Sequence, residues 1–132
     1  MERYLFTVES LPKGFQFPLL FLEHVKREPI PDLEPWWFLC TSKPDADGWF
    51  QAIQRLYPTR KLVPFALWLA SDDVACFDAC ELSGNPTVHF VHVYASPGWE
   101  DHGQVADFTA WLKIAEEESA RYKAECVENV SK

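Results

Sequence analysis

The chain has 132 residues, enough for one domain that buries roughly two-thirds of its unfolded surface without disulfide or metal staples. Its 48% hydrophobic content excludes a disordered chain, and its six tryptophans and 15% aromatics exceed what a core of this size requires. The net charge of −8, with Lys and Arg scattered, excludes a basic stripe for nucleic acid and suits solubility or a basic protein partner.

Leu11-Pro12-Lys13-Gly14 reads as a turn. Pro18 then opens a helix to about Lys26 or Arg27, with Leu19, Phe21, Leu22 and Val25 near helical spacing; Pro29 and Pro31 stop it. Asp32 to Pro35 is a loop, and Trp37 to Cys40 a short apolar strand. Lys43 to Asp47 caps a second helix that runs to about Leu56 and buries Trp49, Phe50, Ile53, Leu56 and Tyr57.

Leu62 to Leu69 reads as a strand. Asp72-Asp73 follow as an acidic turn, because unpaired carboxylates are too costly to bury. Val74 to Phe77 resume an apolar strand, and Gly84-Asn85-Pro86 turn the chain. Thr87 to Tyr94 is apolar on both faces except for its histidines, which predicts a central strand. Pro97-Gly98 turn again, and a last helix spans about Gln104 to Lys123 with Val105, Phe108, Trp111, Leu112, Ala115 and Tyr122 on its apolar stripe. Adjacent strands with short turns imply antiparallel pairing, with the end helices covering one face. The fold class is α+β: one domain, a mainly antiparallel sheet flanked by helices, with a C-terminal helix.

The candidate chemistry is thin. Cys40, Cys76, Cys80 and Cys126 have no CxxC spacing, Met1 to Tyr4 do not read as a signal peptide, and no apolar run approaches a membrane span. Reduced thiols in a cytoplasmic protein are expected. Lys43 to Gly48 fails as a calcium loop, because Lys43 and Gln54 stand where acids are required; Asp45 or Asp47 reads instead as a helix cap. His89 and His92 lie on opposite faces of their strand and cannot share one ion, although His89 can join Asp73 or Asp78 across strands. No metal and no cofactor are expected. There is no nucleophile elbow and no phosphate loop, and Cys76 reads as a core residue, so no catalytic residue is assigned.

Asp72, Asp73 and Asp78 suit turns, caps or recognition better than paired-carboxylate catalysis. Trp99-Glu100-Asp101 set an aromatic beside acids in a loop, which is either a protein-binding rim or a staple of the last helix with Asp101 as its cap. Of Trp36 and Trp37, one is expected in the core.

Several pieces taken together resemble the SMI1/KNR4 (SUKH) superfamily. They are Leu11-Pro12, Pro35-Trp36 with Phe38-Leu39, Leu62 to Ala66, Asp72-Asp73 to Asp78, the strand with His92, Gly98-Trp99-Glu100, and Phe108 with Trp111-Leu112. The resemblance implies a single α+β domain over residues 1–132 and no shared enzyme activity. Many bacterial members are immunity proteins that neutralise toxins, often nucleases. Two classes of function follow. One is a non-enzymatic domain that binds a basic protein, such as a toxin, through Asp72, Asp73, Asp78, Trp99, Glu100 and Asp101. The other is a small-ligand or enzymatic domain that uses Asp72, Asp73, Asp78 and His89. The oligomeric state is left open.

Overall fold

A computed structural model describes residues 3–6, 9–69, 71, 73–96 and 99–130, the side chains of 127–130 excepted. The element order is α1 (Leu19–Val25), β1 (Trp36–Phe38), a 3-10 turn (Leu39–Thr41), α2 (Lys43–Leu56), β2 (Leu62–Trp68), β3 (Asp73–Asp78), β4 (Val88–His92), β5 (Asp101–Val105) and α3 (Phe108–Val130). The strands form one five-stranded sheet in sequence order, and every neighbouring pair is antiparallel. The fold is the expected α+β class.

Strand alternation divides the core in two. Trp36, Phe38, Ala66, Ala75, Phe77 and Val88 face α1 and α3, which contribute Phe21, Val25, Phe108, Trp111 and Ala115. Leu62, Val74, Cys76 and Val91 face α2, which contributes Ala46, Ala52 and Ile53. The two end helices therefore share one sheet face, as expected, and α2 covers the other. Phe65 stacks on Phe77 at a 4.2 Å centroid separation, and both rings meet Phe21 and Phe108. Pro64 sits within β2, where the register shifts between Pro64 and Ala66. The bulge accommodates a residue with no N–H to give to a ladder.

Four expectations change. The histidine-bearing strand is β4, next to the edge, and β3 is central. The outer place is taken by β5, whose sequence DHGQV shows neither apolar alternation nor burial. Gln104 and Val105 thus belong to a strand, and α3 starts at Phe108 and runs on to Val130. Its cap is Asp107, whose Oδ1 accepts from the Ala110 amide at 2.9 Å, rather than Asp101. Likewise α2 is capped by Ser42, whose Oγ accepts from the Asp45 amide at 3.4 Å, while Asp47 accepts from the Tyr4 hydroxyl and from Lys43.

Candidate functional site

At one end of the sheet, three strands bring a carboxylate and two imidazoles together. Asp73 is the first residue of β3 and pairs in register with His92, the last of β4. His102 joins them from β5, next to Asp101, which lies opposite Val91. Asp73 Oδ1 lies 2.8 Å from His92 Nδ1 and 3.1 Å from His102 Nδ1. With its proton on Nδ1, His92 donates to that oxygen, and His102 stands within ion-pair distance of it. The two imidazoles stack at 4.8 Å with 10° between their planes.

The cluster opens onto a cavity of about 530 Å³. Trp36, Trp68 and Phe90 line it from the sheet, Ile114 and Glu118 from α3, and Asp73 and His102 from the sheet end. Trp36 and Trp68 meet edge to face at 5.0 Å. Trp36 Nε1 donates to Glu118 Oε1 at 3.3 Å, which fixes one carboxylate on the cavity wall. Trp36 is the core member of its pair, and Trp37 is exposed.

The other predicted site residues are dispersed. Asp78 is five residues from Asp73 on the same strand and so points to the opposite face. There its Oδ2 meets His89 Nε2 at 3.1 Å and its Oδ1 accepts from the Cys80 amide at 2.9 Å. His89 therefore takes Asp78, and His92 takes Asp73. Asp72, Pro97 and Gly98 lie outside the described residues. Glu100 is largely covered and pairs with Arg60 at 3.1 Å. Asp101 is exposed, and its Oδ1 accepts from the Gly103 amide at 2.9 Å.

The connection from β4 to β5 is anchored at its base. Tyr57 from the end of α2 donates its hydroxyl to the carbonyls of Ala95 at 3.0 Å and His92 at 3.3 Å. Burial, with help from the Glu100 charge, raises the Tyr57 pKa and keeps that hydroxyl a donor. The His92 amide donates to the Glu100 carbonyl at 2.8 Å. Beyond these anchors, Tyr94 is 60% exposed and Trp99 76%. Tyr94 holds a φ of 73°, in the left-handed region. Trp99 is thus held out in water and does not staple α3.

Neither buried thiol is poised as a nucleophile. Burial pushes Cys40 up to about 11 and Cys76 still higher, and all four cysteines are unpaired. His102 is the site residue that reading the chain missed. It stands in a polar stretch without periodicity, and only the pairing of β4 with β5 carries it to Asp73.

Comparison with known proteins finds no matching family, no matching curated protein and no matching solved structure. Among the described residues no helix is long and apolar enough to cross a membrane.

Proposed function

We propose that the chain is a non-enzymatic protein-binding domain that docks a basic partner on the β4–β5 connection. The observation that carries this reading is the pair of exposed rings, Tyr94 and Trp99, held beyond an anchored base. An aromatic ring held in water is unfavourable, and its burial by a partner recovers that cost. A non-glycine residue with positive φ costs on the order of 1 kcal/mol and persists where surrounding structure enforces it, often at binding surfaces. The net charge of −8 and the exposed Asp101 would steer a cationic protein to this face. The SMI1/KNR4 resemblance supports a toxin, such as a nuclease, as that partner and a cytoplasmic immunity role for the protein. The unpaired thiols agree with a reducing compartment.

The test is co-expression with a basic toxin encoded in a neighbouring reading frame, followed by calorimetry of the purified pair. Protection and saturable binding, both lost in Trp99→Ala with Tyr94→Ala, support the proposal. Protection that survives the double variant refutes this surface. A second reading, a small-ligand domain, is favoured by the cavity that Asp73 shares with Trp36, Trp68 and Phe90. Asp78 and His89 have no part in it, since they lie on the other face. A fragment screen read by the indole N–H resonances of Trp36 and Trp68 decides it: no shift at saturating fragment removes this reading.

A further inference from the structure

We propose that Asp73, His92 and His102 form a binding site for a divalent transition-metal ion of the zinc class. One carboxylate oxygen and two imidazole nitrogens would hold it. This inference goes beyond the protein-docking function and needs no partner.

The first argument is spacing. Zinc takes imidazole nitrogen and carboxylate oxygen at about 2.0–2.2 Å, so tetrahedral donors lie about 3.3 Å apart. The carboxylate oxygen already stands 2.8 Å and 3.1 Å from the two nitrogens, and the donor atoms all lie within 4.8 Å of one another. Both Nδ1 atoms stand close to one oxygen. A metal ion would need both Nδ1 atoms deprotonated and would release any proton they carry. The rings must leave their stack, because each imidazole plane has to contain the ion. His92 is about one-third exposed and His102 nearly half, so both can turn.

The second argument is donor chemistry. Two imidazoles and a carboxylate suit zinc, cobalt, nickel or iron, whereas calcium and magnesium require mostly oxygen. Among the described residues, the ion-pair partners of Asp73 are these two imidazoles. The net charge of −8 raises the local cation concentration. The third argument is placement. Three protein donors leave coordination positions free, and Asp73 and His102 both border the 530 Å³ cavity, which has room for water or an anionic ligand there.

The rival explanation is a plain hydrogen bond between His92 and Asp73 with His102 as a close neighbour, and it predicts no metal uptake. The exposed thiols of Cys80 and Cys126 are competing zinc ligands, so the test uses the full chain carrying Cys80→Ser and Cys126→Ser. Chelator-stripped protein is titrated with zinc chloride by calorimetry, then with cobalt(II) while visible absorption is recorded. One ion per chain, with cobalt ligand-field bands, is the expected result. His102→Ala should weaken zinc binding by on the order of 100-fold, since loss of supporting groups alone costs 10–100-fold. Asp73→Asn should do likewise. His89→Ala, on the opposite sheet face, should leave binding unchanged. His102 is exposed on an edge strand, so its variant stays folded and decides the matter if Asp73→Asn does not fold. No saturable zinc heat, undiminished binding in His102→Ala, or equal loss in His89→Ala would each overturn the site. Docking of a protein on Tyr94 and Trp99 would be untouched by any of these results.

Discussion

Replacing Glu100 with Ala tests what holds the β4–β5 connection in place. The Glu100 side chain is 12% exposed and its Arg60 partner 22%, with 3.1 Å between Nη1 and Oε2. A fully exposed pair would contribute about 0–1 kcal/mol. Removing one member of a fully buried pair costs about 3–5 kcal/mol, because the other charge is left in poor solvent. With Glu100 in place Arg60 is about four-fifths covered, so the expected loss is about 2 kcal/mol, between these limits. The assay is urea unfolding followed by far-UV circular dichroism, with an unchanged slope to show that only stability moved. Arg60→Ala and the double variant complete a cycle, and the coupling should be about 1 kcal/mol. Amide exchange at His92, which donates to the Glu100 carbonyl, should quicken in Glu100→Ala. Trp99→Ala should shift stability by no more than about 0.5 kcal/mol, because that ring is exposed. Coupling near zero, with Glu100→Ala as stable as the parent, would refute the anchoring argument.

Three further outcomes are expected. Phe77→Ala should cost about 3–5 kcal/mol, because the ring is fully buried and stacked on Phe65 among Phe21 and Phe108; a loss under about 1 kcal/mol would mean that the aromatic cluster is not packed as described. The Cys40 thiol is raised from 9.0 to about 11 by burial, so its stabilising contribution is present below pH 9.0 and is lost as the pH climbs towards 11. That loss is about 2–3 kcal/mol, and Cys40→Ala should flatten that part of the alkaline stability profile; an unaltered profile would contradict the burial. Thiol titration of the native protein should find Cys80 and Cys126 reactive and Cys40 and Cys76 protected, with all four free after denaturation; finding two in the denatured, unreduced chain would reveal a disulfide.

Apolar periodicity alone determined the α+β class, the two long helices, and the strands around Leu62, Val74 and Val88. These segments carry their signal in side chains that must leave water, so their period is written into the chain. Strand alternation also placed His89 and His92 on opposite faces, and β4 confirms it. Only the tertiary structure decided the rest. DHGQV holds its place in β5 through main-chain bonds to β4, and main-chain groups are the same in every residue but proline, so no pattern announced the strand. The same pairing brought His102 to Asp73, 29 positions earlier in the chain by the numbering. Acidic residues grouped in the sequence were parted for the converse reason. Asp73 and Asp78 share a strand of period two, so five residues send one to the aromatic cavity and the other to the α2 side. Glu100 and Asp101 are neighbours, yet one is largely covered and paired with Arg60 and the other stands in water. Which charges meet is a property of strand register and face, and both are settled only when the sheet closes.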